Sequence, residues 1–369
     1  ITTRLVGSEM CIRDRLITMC VIAYNEEQNI NGILECIKNQ DYDHNNMEVV
    51  LVDGASTDNT RALMCEFALD NKDEFRRVVV LDNPKKTLPS GWNVALREYK
   101  GDAIIKVDAH AVIPEDFVSK NVRVLETGEY ICGGQRPNII DKPTPFKETL
   151  LLAESSMFGS SIASYRNNPG KTYVKSLFHA AYRREVFEKV GFFNEELVRT
   201  EDNEIHYRMR KAGYKLCFDP DIISYQYTRS SLKAMLKQKY ANGYWIGKTS
   251  KVCPKCLSIY HFVPFAFVSA IIASGSVIGA TGLAECIKKR HNHTLGKGIS
   301  ALRKVTVVLT TVMWVLYALM ASGMAAVSAF KAEDKRNITN ACLPVLFLLL
   351  HLSYGIGTIA GLMDKSKRG

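Results

Sequence analysis

Three short stretches of this 369-residue chain combine side chains suited to handling a charged leaving group. The run AIIKVDAHA, residues 103–111, carries Ile104, Ile105 and Val107 as a buried strand would, then ends in Asp108 and His110. Residues two apart on a strand point the same way. Carboxylate and imidazole can therefore share one divalent cation such as Mg²⁺ or Mn²⁺, which needs few protein ligands when phosphate oxygens and waters complete its shell. The same pair also fits a turn cap or a satisfied polar contact at a sheet edge. The second stretch, TEDNE at 200–204, opens a helical stripe through Ile205, Met209 and Ala212 that Gly213 closes, with Thr200 at the N-cap. Acids in a first turn complement the helix dipole, and one of them can instead take a proton from an attacking hydroxyl. The third feature is a set of polar residues at the ends of apolar runs: Asn25 and Glu26 after LITMCVI, and Asp53 after MEVVLV.

The elements that must position these groups alternate. Buried runs at LITMCVI, MEVVLVD, RRVVVL and AIIKVD are separated by helical periods such as Ile30, Ile33, Leu34 and Ile37. That pattern predicts an α/β fold with a mostly parallel sheet covered on both faces. In such sheets ligands bind beyond the carboxyl ends of the strands, where the polar residues stand. Neither G-x-G-x-x-G after the first strand nor G-x-x-x-x-G-K-[ST] occurs, which argues against a classical dinucleotide enzyme and a P-loop NTPase.

Beyond about residue 258 the composition changes. Three apolar runs, 262–284, 305–330 and 341–363, contain no Asp, Glu, Lys or Arg, and each exceeds the roughly 20 residues that span a bilayer. The first is rich in Ser and Gly, which leaves a tilted or re-entrant segment open. The formal charge is +10. Between Asp221 and Glu285 there is no acid, while Arg229, Lys233, Lys237, Lys239, Lys248, Lys251 and Lys255 fall there. Residues 229–259 therefore read as a basic amphipathic segment at an anionic membrane surface, followed by membrane helices within 260–363 and a basic tail at 364–369. Lys288, Lys289, Arg290, Lys297, Arg303 and Lys304 in the next loop pull the orientation the other way. No nucleic-acid recognition motif accompanies the charge. Ten cysteines without scaffold spacing suit a reducing cytosol, and Cys253-x-x-Cys256 lacks the partners of a structural zinc site. The first fifteen residues resemble translated sequencing-adapter read-through and are expected to be a non-native extension, with the native start missing or replaced.

Taken together, VIAYNEEQNI, VVLVDGASTDNT, SGWNVALREYKGDAIIKVDAHA and RTEDNEIHYRMRKAG resemble, in order and spacing, the family 2 glycosyltransferases of GT-A fold. The likeness is strongest to membrane-attached enzymes of succinoglycan-type exopolysaccharide synthesis, in which D-A-H-A replaces D-x-D. It spans roughly residues 16–363 and implies a catalytic domain over 16–228. It implies that Ala23, Tyr24 and Glu26 surround the nucleotide, that Asp53 contacts uracil, and that Asp108 and His110 hold the metal and diphosphate. Asp202 would be the base with Glu201 beside it, and Gly91 and Asn93 would form the small-residue turn near the donor. Gln238, Gly243 and Trp245 match a Gln-and-Trp motif, although Trp245 also suits a membrane-interface anchor. The chain departs from the family at Ile22 for proline, at Asp53-Gly54 for paired aspartates, at Ala180 for glycine and at Lys175 for an acid. His179 fits either packing or a further contact to the metal or diphosphate.

The resemblance implies an inverting, metal-dependent hexosyltransferase. Its donor would be a nucleotide sugar, expected to be UDP-linked, and its acceptor a polyprenyl-diphosphate-linked glycan at the plasma membrane. The protein would be multi-pass with its catalytic domain cytoplasmic. A polyprenyl-phosphate sugar synthase and a non-catalytic scaffold that retains the nucleotide-sugar fold are the alternatives.

Overall fold

The computed structural model describes residues 15–159, 170–229, 231–290, 296–332 and 337–365. Residues 1–14 of the extension and 366–369 of the basic tail lie outside them. The chain forms two compact units, one of residues 1–139 and 163–227 and one of 140–162 and 228–369. The contiguous reading of 16–228 therefore differs at one insertion. Residues 140–162 join the helical unit because Leu150, Leu152 and Ala153 pack with apolar residues of the last two helices, a partnership that their local pattern does not encode.

The first unit begins β1 (Ile17–Ala23), α1 (Ile30–Lys38), β2 (Met47–Asp53), α2 (Thr60–Asp70), β3 (Arg77–Asp82), α3 (Leu88–Glu98) and β4 (Ala103–Asp108). After β5 (Ala111–Val112) come α4 (Phe117–Glu126), β6 (Ile131–Gln135) and β7 (Asn138–Ile139), and then α5 (Pro145–Ser155) of the second unit. The first unit closes with β8 (Thr172–Val174), β9 (Ala181–Arg183), α6 (Arg184–Val190), α7 (Glu201–Lys211), β10 (Leu216–Ile223) and β11 (Tyr225–Tyr227). The large sheet runs β3-β2-β1-β4-β9-β6-β10-β8, and a small one runs β5-β11-β7. Strands β3, β2, β1 and β4 are parallel, while β9 lies antiparallel between β4 and β6.

Alternation along the strands builds two cores. Met19, Val21, Val49, Leu51, Ile105 and Val107 face α1, α2 and α4, while Cys20, Ile22, Val50, Val52 and Ile104 face α3, α6 and α7. Both faces are covered, which is why these strands read as continuous apolar runs. Lys106 and Asp108 continue the second face of β4 at the place where its apolar residues stop.

The second unit contains α5, α8 (Leu232–Val252), α9 (Val263–Arg290), α10 (Lys297–Lys331) and α11 (Leu343–Met363). Three helical stretches, Ile259–Arg290, Lys297–Lys331 and Ile338–Met363, are long and apolar enough to cross a membrane. The first apolar run is a continuous helix rather than a re-entrant turn; its Pro264 sits in the first turn, where a missing N–H costs nothing. Helices α9 and α10 outrun their apolar cores because good helix formers flank them.

Helices α8 and α11 touch backbone to backbone. A Cβ on Gly243 would lie 2.0 Å from the Tyr354 carbonyl oxygen, and one on Gly247 2.5 Å from that of Thr358. In return, a Cβ on Gly357 or Gly361 would meet the carbonyl oxygens of Tyr240 and Tyr244 at 2.1 and 2.0 Å. Each helix thus presents a G-x-x-x-G pair to the other, the spacing that allows close helix approach. Segment 229–259, expected as a surface-lying stretch, is in this way packed along α11 as well as being basic. Within the same unit Lys239 and Glu154 form a buried pair at 3.1 Å.

Candidate functional site

Register brings the polar strand ends level. Ala23 is paired with Asp53, Asp53 with Asp82, and Ile22 with Asp108. The loops after β1 and β2 are knitted together: the Asn25 amide donates to Ser56 Oγ at 3.0 Å, and the Thr57 amide donates to Asn25 Oδ1 at 2.8 Å. The Glu26 amide donates to Thr60 Oγ1 at 2.8 Å. Asn25 (φ 54°) and Ala55 (φ 57°) hold left-handed backbone, which costs a non-glycine residue roughly 1–2 kcal/mol and shows how firmly these loops are specified. Asp53 is buried and accepts from the Ser56 amide at 3.2–3.3 Å, while Tyr24, which directly follows β1, is half exposed. Gly54 replaces the family's second aspartate where a Cβ would press at 3.1 Å on the Ala23 carbonyl oxygen and Tyr24 Cβ.

Asp108 and His110 are each held by a neighbour. The Asp108 amide donates to His179 Nε2 at 3.3 Å, and its Oδ2 lies 3.7 Å from the same nitrogen. His179 Nδ1 meets Ser224 Oγ at 2.8 Å. Burial alone would raise the Asp108 carboxyl, but His179, His110 and Lys106 hold it well below the usual range, so it is an anion. His110 Nδ1 lies 3.3 Å from Glu26 Oε1, and Gln226 Nε2 lies 3.3 Å from its Nε2. One partly exposed carboxylate and one partly exposed imidazole, with a second carboxylate at Glu26, make a donor set chemically suited to a hard or borderline cation that keeps open positions. Among the described residues no three metal-binding side chains are already gathered, so phosphate and water would supply the remaining ligands.

Two residues before Asp108 on the same face of β4, Lys106 is buried and bonds Asp202, and its Nζ lies 3.9 Å from Glu201 Oε1. Both acids open α7, where Thr200 occupies the N-cap position without a side-chain capping bond. Gly213 follows the helix at φ 97°, as a C-terminal glycine should. One turn on, His206 is fully buried between Ser176 Oγ at 3.0 Å and Tyr182 OH at 2.7 Å, anchoring the helix to β9.

Burial first, then the charge of Asp202, pushes the Glu201 carboxyl up to about 8 from an ordinary 4.5. The folded state therefore keeps a proton that the unfolded state releases. The contribution is complete below about pH 4.5 and is lost as pH rises toward about 8. Glu201→Gln, which is neutral at every pH, should raise the melting temperature at pH 8 more than at pH 4.5. Thermal melts of the full-length protein at the two pH values check this, and equal shifts would sink the assignment.

The other sequence-predicted residues are placed as follows. Gly91 lies where a Cβ would come 2.8 Å from Ile22 Cγ2, so it lets α3 close on the end of β1. Asn93 is buried and uses its amide on the loop before α7: its Nδ2 donates to the Phe193 carbonyl at 3.0 Å and to Glu195 Oε1 at 2.9 Å, and its Oδ1 accepts from the Phe193 amide at 2.8 Å. Gln238 and Trp245 stand on α8 of the second unit, where Trp245 is buried and Gln238 Oε1 has no partner among the described residues. Pattern reading missed Lys106, Gln226 and Ser224 and left His179 between two roles. Lys106 carried a usable signal, since a lysine inside a buried strand must be paired.

A large, mostly parallel sheet with acidic residues at its carboxyl ends is the arrangement of a GT-A fold. Residues 18–191 match the model of glycosyl transferase family 2, and the chain carries a domain of that family. The mannosyltransferase PcManGT of Pyrobaculum calidifontis, solved with GDP-Man and Mn²⁺, shares the fold with a TM-score of 0.57 at 17% identity, over 95% of this chain and 88% of its own. In sequence the chain is similar to a dolichyl N-acetyl-α-D-glucosaminyl phosphate 3-β-D-2,3-diacetamido-2,3-dideoxy-β-D-glucuronosyltransferase of Methanococcus voltae. That match is 26% identical over 264 residues, 70% of this chain and 80% of the relative. It is also similar to the succinoglycan biosynthesis protein ExoA of Rhizobium meliloti, 29% identical over 224 residues, 59% of this chain and 65% of the relative.

Proposed function

We propose that the protein is an inverting glycosyltransferase that moves a hexose from a UDP-linked sugar to a hydroxyl of a polyprenyl-diphosphate-linked glycan, in exopolysaccharide or cell-surface polysaccharide synthesis. The observation that carries it is the convergence of Asp53, Asp108 and His110 on level strand ends, with Asp202 tied to the same strand through Lys106. In this reading Tyr24, Asp53 and the knitted loops receive the nucleotide. Asp108 and His110 would hold Mg²⁺ or Mn²⁺, which supplies neutralisation of the leaving diphosphate. His179 fixes the Asp108 backbone, and Glu26 orients the His110 ring. Asp202 takes the acceptor proton as the oxygen attacks the anomeric carbon. Support for a lipid-linked acceptor comes from the three membrane-length helices and from the Methanococcus relative, whose name states a dolichyl phosphate-linked substrate. The plasma membrane, with the first unit on the cytoplasmic side where nucleotide sugars are made, is the corresponding location.

The test is binding. Titration of purified full-length protein with UDP should show affinity that Mn²⁺ strengthens at least tenfold, and Asp108→Ala should lose that enhancement. GDP in parallel tests the choice of base, since the Pyrobaculum neighbour was solved with GDP-Man. A protein that binds neither nucleotide, and hydrolyses neither UDP-glucose nor GDP-mannose, would be a scaffold instead.

A further inference from the structure

The proposed base does not stand alone. Asp202 bonds Lys106, and the ammonium also lies 5.1 Å from the Trp92 ring centre and 5.7 Å from that of Phe193. Lys106 is 6% exposed and Glu201 3%, so neither is a solvated surface charge. A lysine rarely enters a buried strand unless its charge is matched, and two aromatic faces add attraction for the cation while limiting where it can sit. Asp202 itself is on the first turn of α7, where the backbone fixes the Cα but leaves the carboxylate free to rotate. One rigid strand thus carries both Asp108, at the diphosphate end, and Lys106, the anchor of the carboxylate that must face the acceptor.

We infer that Lys106 is a positioning residue for the sugar-transfer step: it fixes the rotamer of the Asp202 carboxylate, and so sets the base at a defined place relative to the diphosphate site. The inference rests on the functional reading above. Its chemistry adds no bond to the reaction. The acceptor O–H proton passes to Asp202, the oxygen bonds the anomeric carbon, and the electron pair of the breaking C–O bond leaves with the diphosphate. Lys106 remains an ammonium throughout. Glu201, buried in the same cluster 3.9 Å from the ammonium, has an Oε2 without a partner among the described residues.

A structural lysine and a positioning lysine differ in what their loss changes. In full-length protein with Mn²⁺, Lys106→Met should lower the kcat for release of UDP from UDP-glucose, or of GDP from GDP-mannose, about 100-fold, the lower range for a displaced general base. The affinity for UDP should stay within about threefold, because the base is not a ligand of the nucleotide. Lys106→Arg keeps the charge and should recover at least a tenth of the wild-type rate. If the methionine variant does not fold, the double variant Lys106→Met with Glu201→Gln, which removes the buried carboxyl beside the lost ammonium, is compared with Glu201→Gln alone, and the same loss in kcat is expected. A Lys106→Met enzyme that keeps more than a third of the wild-type rate would overturn the inference. So would one that loses UDP affinity while kcat holds, since the ammonium would then serve the diphosphate. A wild type inert toward both donors, and unable to bind UDP or GDP, would overturn the functional reading and this inference with it.

Discussion

Asp202→Asn should lower sugar transfer by about a thousandfold while leaving UDP binding unchanged. Asparagine keeps the size of the side chain and can still reach Lys106, but it has no basic oxygen to accept the acceptor proton. General-base contributions of about 10²–10⁴ in rate set the scale. The position is also selective between mechanisms. A sugar hydroxyl must lose its proton as it attacks, whereas a polyprenyl phosphate is already an anion and needs no base. Transfer measured separately to a lipid-linked glycan and to polyprenyl phosphate therefore distinguishes the two acceptors. An Asp202→Asn enzyme that retains most of its activity would favour the phosphate acceptor and remove Asp202 from the role given to it. Nucleotide binding, followed in the same preparation, separates loss of chemistry from loss of the donor site.

Gly361→Leu should unfold the second unit at much lower temperature than the parent protein, by about 10 °C or more. A Cβ at 361 would sit 2.0 Å from the Tyr244 carbonyl oxygen and 2.9 Å from its carbon. These are backbone atoms of α8 and cannot turn aside as a side-chain end would. Overpacking of an ordinary core costs about 1–3 kcal/mol. At this contact the helices must separate along the G-x-x-x-G face, so a loss at or above the top of that range is expected. About 3 kcal/mol corresponds to about 6–12 °C in a domain of this size. Gly279→Leu on α9 is the control, because a Cβ there meets nothing within 4 Å. Equal melting shifts for the two variants, followed by size-exclusion chromatography after heating in detergent, would show that the α8–α11 approach does not limit stability.

Much of this protein is legible in its residue order. Alternation within β1, β2 and β4 is recorded as continuous apolar runs because both sheet faces are covered, and the polar residues that end those runs are the ones that register brings level. The apolar stretches that form α9, α10 and α11 are visible because a bilayer-length helix needs no partner in sequence to be recognised. What the pattern left open has a common cause. His179 reaches Asp108 across 71 residues, and Lys106 reaches Asp202 across 96. Neither separation leaves a period to detect. The insertion of 140–162 into the helical unit is of the same kind, since its partners lie near residues 337–351.

The sequence by itself determined the class of fold, the sheet with its acidic strand ends and the membrane-length helices, because each depends on local burial repeated along the chain. The tertiary structure alone decided that the aspartate opening α7 is gripped by a lysine of β4, and that two glycine pairs 114 residues apart, Gly243–Gly247 and Gly357–Gly361, form one helix contact. Strand order and helix packing bring those residues together, and no period in the chain records either.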